Sequence, residues 1–540
     1  MNFRTRAAQV LLALSATVFV SWLVGALVGG LTVFQSTSGR VSFGDFGNFR
    51  LGCWLALAAF VVTPHRLAWV DAAEKWLGGR ARWGVPLAFT LYLVVYKIAQ
   101  HLAFETTALD LSIFHYAVRY AWTDGPGFAW GFNLERSLFS EHFEPIVLWV
   151  VPLDMVFRSP LVLLIPEVVG VGLGLWFIVG CSHAYGIRPI AAWLLGAAYA
   201  TNFTLWQSVR FDFHPEALLP AGIFATLWAL KEKRYGWLAF AVFTVLCLKE
   251  DMAIVLVPAV ALAWFDDRKA WKAPVTVSVV AMVWCVVTLK FVIPAARGPQ
   301  GGWDLFAERY AAWGATPGEA VKSMLTRPLD LLPVIFGQPV IELMGQLGFV
   351  PLLNPLSLLA SIPALLEQRL TAYETQHLLL LYYGIGPLTV WMVGAMRGVR
   401  WLSSRVGVVA LVVVASLPMT WRPGPLAIPR VEGKHLEAKR LLGELIPEGA
   451  RVSAQTIVVP HLPISEQTKL FPKRAHEADY VVLMPDEFLW PLEAPEYSEV
   501  VTNVLDSGDY GVLANTGKLV VLKRGAPLGD AAAVKAQLPR

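Results

Sequence analysis

The chain has 540 residues, 56% of them hydrophobic and only 16% charged, with a net charge of +4. A soluble globular chain carries about a quarter charged residues, so the composition excludes an ordinary soluble enzyme. The small positive balance sits in loop lysines and arginines and implies no nucleic-acid partner.

No charged residue occurs between Arg6 and Arg40, a run longer than the roughly 20 residues that cross a bilayer. Arg4 and Arg6 ahead of it resemble the start of a signal peptide. The run is too long for one and lacks a small-residue cleavage site, so it reads as an uncleaved first helix. Apolar stretches predict spans over residues 7–34, 51–64, 84–103, 160–181, 189–209, 215–230, 236–249, 251–266, 274–295, 331–346, 348–366, 375–396 and 402–420. The fold class is an all-α polytopic membrane protein with about 13 transmembrane helices. Pro145, Pro152, Pro215, Pro258, Pro355 and Pro363 predict kinked or broken helices. Cys53, Cys181, Cys247 and Cys285 all lie in apolar segments and read as small core residues, neither disulfide nor metal framework.

Orientation follows from the short basic loops, which stay in the cytoplasm. They hold Arg66, Lys75, Arg80 and Arg82; Lys231, Lys233 and Arg234; Arg268, Lys269 and Lys272; and Arg397, Arg400 and Arg405. All fall on one side if the N-terminus is cytoplasmic and segment 143–157 does not cross. That segment is short, broken by proline and carries Asp154, so it reads as a helix along the outer face. Residues 1–420 then form a transmembrane domain with outer loops 104–159 and 296–330. From 421 the chain becomes charged and proline-punctuated. Residues 435–446 and 498–506 read as helices, and 450–458, 478–484, 510–515 and 518–523 as strands. Residues 421–540 thus predict a small soluble α/β domain on the extracytoplasmic side. There is no internal repeat, low-complexity segment, Walker motif or zinc CxxC pair.

Four clusters of acids and histidines stand at the ends of apolar stretches, where an ionisable group is costly unless paired or facing a polar cavity. They are Asp110, Glu141-His142 with Glu144, Asp212 with His214 and Glu216, and Lys249-Glu250-Asp251. The predicted topology brings all four to the outer face. Asp110 precedes a helix with apolar Ile113, Phe114, Ala117, Val118 and Ala121. It reads either as that helix's N-cap or as a general base for an attacking hydroxyl. Glu141, His142 and Glu144 read as a polar loop or as acceptor or metal ligands. Asp212, His214 and Glu216 alternate, so an extended segment points all three one way. Histidine with carboxylate suits a divalent ion, which makes His142, His214 and Glu216 metal candidates. Lys249 reads as a snorkelling helix end or as a cation for a phosphate leaving group, a role open to Arg210 as well. Glu250 and Asp251 cap the next helix or face the acceptor. Tyr373, Glu374, His377, Tyr382 and Tyr383 mark another span start on the same face, as an aromatic belt or as contacts to a sugar or diphosphate. Asn202 stands in a sequon inside a predicted span, and Glu167 is an unassigned carboxyl within another.

An outward loop bearing an Asp after an early span, juxtamembrane helices, short helices and an outer soluble domain together resemble the GT-C superfamily of membrane glycosyltransferases. The segments LDLSIFHYAVRYAW, EHFEPIVLWVVPL, FDFHPEALLP, LKEDMAIVLVPAVALAW, GFVPLLNPLSLLASIPALL, YETQH, ARVSAQTIVVPHLPISEQTKLFP and ADYVVLM resemble, more closely, the bacterial predicted membrane proteins of domain of unknown function 2079. They run in order from about residue 100 to 485. The GT-C resemblance implies an inverting transfer from a polyprenyl-phosphate-linked sugar in the bacterial inner membrane. Asp110 would be the base, Lys249, Arg210 and His377 would bind the donor phosphate, and His142, Glu144, Asp212, His214, Glu216, Glu250 and Asp251 would hold the acceptor or a metal. Some such enzymes use a divalent ion, Mg or Mn. The partners implied are membrane lipids, the lipid-linked sugar and a glycan, lipid or protein acceptor. Two departures stand out: Asp110 follows the third span, and His115 replaces an expected acid or amide. The alternative classes are a transporter or flippase of a lipid-linked precursor, with charges near the membrane midplane, and a non-catalytic scaffold of the same fold.

Overall fold

The computed structural model describes residues 3–27, 31–36, 39–43, 55, 68–125, 132, 137–297, 309–314, 316–402 and 427–539. In chain order come α1 (Phe3–Leu27), the hairpin β1 (Leu31–Ser36) and β2 (Gly39–Phe43), α2 (Ala68–Gly78), α3 (Ala81–Leu102) and α4 (Ile113–Thr123). Then follow α5 (Val151–Phe157), α6 (Leu161–Ala184), α7 (Pro189–Ala200), α8 (Phe203–Arg210), α9 (Leu219–Lys231), α10 (Tyr235–Leu246), α11 (Ala253–Asp266) and α12 (Lys272–Arg297). The later helices are α13 (Pro317–Thr326), α14 (Leu332–Phe336), α15 (Gln338–Gly345), α16 (Pro355–Arg369), α17 (Glu374–His377) and α18 (Ile385–Leu402). Three of the described helices, α3, α6 and α12, are long and apolar enough to cross a membrane.

α6 is the central strut, packed against α3, α7 and α9. Gly170, Gly172 and Gly174 make that packing possible: a Cβ on them would stand 1.9 Å from Leu218, 1.9 Å from Thr90 and 2.4 Å from the Tyr199 hydroxyl. Small residues of this kind let membrane helices approach closely. α12 is the opposite case. Val279, Val280, Val283, Val286 and Phe291 stay exposed along it, the surface expected of a helix whose solvent is hydrocarbon.

Several expected spans divide. Residues 189–209 form α7 and α8, separated at Asn202, whose side chain accepts from Leu205 N at 3.2 Å and restarts the helix as its N-cap. Residues 331–346 break at Gly337 between α14 and α15. Residues 375–396 keep only α17 and the start of α18, with an irregular turn between. The first span ends at Leu27, not 34, because residues 31–36 enter the hairpin; Thr32, Val33 and Phe34 are strand formers. Segment 143–157 is a 3-10 turn, Pro145–Val150, running into the short α5. The expected outer loop 296–330 contains α13. All of the expected span 51–64 except Leu55, residues 403–420 of the last expected span with Arg405, most of residues 126–136 and the boundary near 421 lie outside the described residues.

The C-terminal part holds α19 (Gly433–Leu445), β3 (Val452–Ala454), β4 (Thr468–Leu470), β5 (Tyr480–Leu483), α20 (Ala494–Asp506), β6 (Tyr510–Asn515), β7 (Val520–Arg524) and α21 (Ala531–Ala536). The sheet order is β4-β3-β5-β7-β6, with β3 parallel to β4 and β5, and β7 antiparallel to β5 and β6. The sequence reading missed β4 and α21. One hydrophobic cluster joins this sheet to the loop after α3: Phe104, Ala108 and Tyr116 pack with Val458, Leu462 and Val482. Ala108 N donates to Thr456 O at 2.7 Å. The C-terminal sheet thereby grips the segment that carries Asp110.

Candidate active site

Asp110 does not cap α4, whose N-cap position is Ser112. It sits instead at φ 57°, ψ −63°, close to the rare γ-turn conformation. A non-glycine residue there costs about 1–3 kcal/mol and persists only where the surroundings impose it. Those surroundings are visible on both sides. Upstream, Thr107 donates to Asp212 with its N–H (3.1 Å to Oδ1) and its hydroxyl (2.5 Å to Oδ2). Ala108 is held by Thr456. Downstream, Leu111 and Ser112 are buried. The Asp110 carboxylate projects from this clamp and keeps 23% of its side-chain surface open.

Opposite stands His214. Its Nε2 lies 3.6 Å from Asp110 Oδ2, and its Nδ1 lies 2.7 Å from Glu216 Oε2. Glu216 Oε1 is 3.2 Å from Lys249 Nζ. Asp110, His214, Glu216 and Lys249 thus form one chain of alternating charge built from three distant sequence segments. The imidazole is fixed by Tyr382, stacked on it with centroids 3.3 Å apart, and by the edge of Phe114. Burial opposes protonation of His214, but Glu216 and Asp110 overcome it and push its pKa up to about 10. The ring is therefore an imidazolium between two carboxylates. Asp212 is turned away from this chain toward Thr107, so the expected one-sided alternation holds for two of its three members.

His142 pairs with Glu250 (Nδ1 to Oε1, 2.9 Å), and Phe143 N donates to Glu250 Oε2 at 2.9 Å. Burial and Lys249 oppose the charge on His142, yet Glu250 leaves its pKa raised. Glu144 is buried; burial and the negative Glu216 push its carboxyl up to about 8. His142, Lys249, Glu250 and Asp251 open onto a cavity of about 480 Å³. Its far wall carries Arg297 and Arg309, and its floor is apolar, from Leu289, Ile293 and Leu366. Arg297 Nε donates to Ser140 O at 2.5 Å, and Arg309 Nη1 to Gln376 Oε1 at 3.3 Å.

Two expected phosphate ligands stand apart. Arg210 is exposed at the end of α8 and acts on Glu105. His377 gives its Nδ1 to the Arg369 carbonyl at 2.8 Å and receives Arg369 Nη1 on its own carbonyl; it closes a turn. Sequence reasoning missed Lys97, whose Nζ meets Glu167 Oε2 at 3.3 Å and Phe211 O at 2.6 Å. Glu167 in turn accepts from His214 N at 3.3 Å. A lysine and a glutamate inside two apolar helices were the available signal, and only the glutamate was noticed. Glu367 on the cavity wall was also missed, because it directly follows the expected span 348–366 and reads as an ordinary charge at a helix end.

The divalent-ion candidates do not converge. His142 is taken by Glu250, while His214 and Glu216 bind each other with an ammonium 3.2 Å away. Among the described residues no three His, Cys, Asp or Glu side chains are grouped to hold a metal. This donor set does not fit Mg or Mn.

The family model described as "Predicted membrane protein (DUF2079)" matches residues 100–521. The chain belongs to this family. The DUF2079 match takes in the Asp110 turn, the His214 hub, Lys249 and most of the C-terminal sheet. No curated protein matches the sequence. Among solved structures, this DUF2079 member is similar to the crystal structure of ArnT from Cupriavidus metallidurans bound to undecaprenyl phosphate, with TM-score 0.47 and 14% identity over 83% of this chain and 99% of that one. It is similar also to the apo form of that protein, with TM-score 0.44 and 13% identity over the same shares.

Proposed function

We propose that the chain is an integral membrane glycosyltransferase of GT-C type, moving a sugar from a polyprenyl-phosphate donor to an extracytoplasmic acceptor hydroxyl with inversion. The observation that carries this reading is the charge chain from Asp110 to Lys249, with an open carboxylate at one end and a cation-lined, apolar-floored cavity at the other. The donor phosphate would lie in the cavity by Lys249, Arg297 and Arg309. The acceptor would approach Asp110 from the side of the outer sheet. As the acceptor oxygen bonds to the anomeric carbon, its proton passes to Asp110. The bond from that carbon to the phosphate oxygen breaks, and its electron pair leaves with the phosphate, whose charge the cations stabilise. His214 faces the Asp110 carboxylate across 3.6 Å and orients it. On this reading residues 1–420 form the membrane domain, with about 13 spans, a cytoplasmic N-terminus and residues 421–540 outside.

The test uses the full chain in nanodiscs with a panel of polyprenyl-phosphate sugars and an envelope extract as acceptor, reading release of polyprenyl phosphate. Asp110→Asn should lower turnover about 10²–10⁴-fold while leaving polyprenyl-phosphate binding unchanged within about two-fold. Full turnover in that variant removes Asp110 as base. A wild type that binds no polyprenyl phosphate overturns the reading, and one that only moves the lipid between leaflets is a transporter.

A further inference from the structure

The end of the molecule opposite the charge chain carries a second polar pocket. The Lys231–Tyr235 turn and Lys249 flank the two ends of α10, a helix of 12 residues, about 18 Å long. At the Tyr235 end a pocket of about 430 Å³ is lined by Lys231, Lys233, Lys269 and Lys272. Its two acids do not balance them. Asp266 is bound by Arg397 at 2.5 Å and faces Arg400 at 3.8 Å. Asp267 accepts from Lys269 N at 3.2 Å. Lys231 lies over the Tyr185 ring, and among the described residues Lys233, Lys269 and Lys272 form no ion pair.

A second observation adjoins the first. An apolar groove of about 650 Å³ runs between α10 and α12, floored by Leu238, Val242, Leu246, Val277 and Val280. It shares Tyr235, Lys272 and Ala273 with the lysine pocket. The groove lies on the face where Phe240, Phe243, Val279 and Val283 are exposed. Lysine ammoniums at the mouth of a hydrocarbon-lined slot, on a helix surface built for lipid, match one kind of molecule in charge and in shape.

We propose that this slot is a binding site for an anionic phospholipid of the surrounding bilayer, its phosphate held by Lys233, Lys269 and Lys272 and one acyl chain lying in the groove between α10 and α12. A basic cluster beside a membrane surface attracts acidic headgroups, and the groove adds chain burial that a bare cluster lacks. The site is independent of the glycosyl-transfer chemistry.

The experiment is native mass spectrometry of the full chain in detergent, titrated with phosphatidylglycerol or with phosphatidylcholine. One variant combines Lys233→Gln, Lys269→Gln and Lys272→Gln; the other is Val242→Trp, which fills the groove. Phosphatidylglycerol should bind on the order of ten-fold more tightly than phosphatidylcholine, and the triple variant should abolish the difference. Val242→Trp should weaken both lipids while leaving competition by inorganic phosphate unchanged. Equal binding of the two lipids, or an unchanged triple variant, overturns the proposal. So does unchanged lipid binding in Val242→Trp, since the pocket would then take phosphate from any source. Circular dichroism of each variant establishes that it is folded before its binding is scored.

Discussion

Two carboxylates of this chain, Asp154 and Asp110, sit in opposite circumstances. Asp154 is fully enclosed and accepts from Arg119 Nε (2.7 Å) and Nη2 (3.2 Å), Trp122 Nε1 (3.0 Å) and His115 Nε2 (3.0 Å). Asp110 faces one imidazolium across 3.6 Å on a strained turn with part of its surface open. The first has every lone pair directed at a donor of its own scaffold and nothing left to react. The second is clamped by its neighbours and left underused itself. Saturation marks a structural ion pair, and enforced under-saturation marks a site, even where sequence gives both residues the same appearance.

The sharpest way to break this contrast is to remove each acid. Asp154→Ala strands Arg119 and His115 beside an empty place, and losing one partner of a buried pair costs about 3–5 kcal/mol. The thermal unfolding midpoint in detergent should fall steeply, with turnover falling only as folded protein is lost. Asp110→Asn should do the reverse, shifting stability by no more than about 1 kcal/mol, the worth of a part-exposed ion pair, while turnover collapses. Equal losses of stability in the two variants would erase the distinction.

A middle-sized effect is expected at Lys249. Lys249→Met leaves Glu216 with His214 alone, and a buried charge that loses a hydrogen-bonding partner costs about 1–3 kcal/mol. Weakened binding of polyprenyl phosphate, measured by fluorescence titration, should accompany that loss. Unchanged binding would confine Lys249 to scaffolding.

The pH dependence separates the anchoring acids too. Burial opposes ionisation of Asp154, but the hydrogen bonds of His115, Arg119 and Trp122 hold it well below the usual carboxylate range. A depressed carboxyl adds stability that is present above its unfolded value, near about 4, and is lost as pH falls through the folded value. Asp212 behaves inversely: burial pushes it up to about 7 against the pull of Thr107 and Lys97. Between roughly pH 4 and 7 the folded chain keeps a proton there that the unfolded chain releases, so stability declines as pH rises through that window. Unfolding midpoints from pH 5 to 8 should therefore move in favour of Asp212→Asn relative to wild type. The deficit of Asp154→Asn should persist over the same range and shrink only in stronger acid. Parallel curves would contradict the assignment.

What could be read from sequence follows from what is local. α3, α6 and α12 announce themselves by length and hydropathy, and α19, β5, α20, β6 and β7 by periodicity. His115, Arg119 and Trp122 fall at i, i+4 and i+7, one helical face, but nothing local says that Asp154, 39 residues from His115, closes on them. The same holds for Lys97 with Glu167 and for Tyr382 on His214. The breaks at Asn202 and Gly337 were legible only as residue types, because a cap acts where tertiary packing permits a helix to restart. The grouping of Asp110, His214, Glu216 and Lys249 was legible in part because all four stand at the ends of apolar stretches, where an ionisable group is costly unless paired. Arg210 and His377 also stand near the ends of apolar stretches without sharing the site, which is the limit of such an argument.

The smallest expected effect falls where the saturated and unsaturated parts meet. Thr107 joins the buried Asp212 to the Asp110 turn three residues on. Thr107→Val removes the 2.5 Å hydroxyl contact to Asp212 and leaves the backbone N–H contact. The shape is nearly kept, and one hydrogen bond to a carboxyl that burial keeps largely protonated is worth about 0.5–1.5 kcal/mol, so the chain should stay folded. Its consequence is positional: with one restraint gone, the strained Asp110 can relax toward an ordinary conformation and swing its carboxylate away from His214. Turnover should drop about ten-fold with KM for the lipid donor unchanged, because a misplaced base impairs the chemical step and not the binding of a phosphate in the cavity. Thr107→Ser restores the hydroxyl and should restore kcat. If the serine variant is as slow as the valine variant, the hydroxyl bond to Asp212 is not what holds the base, and the clamp must come from Thr456 and the C-terminal sheet instead.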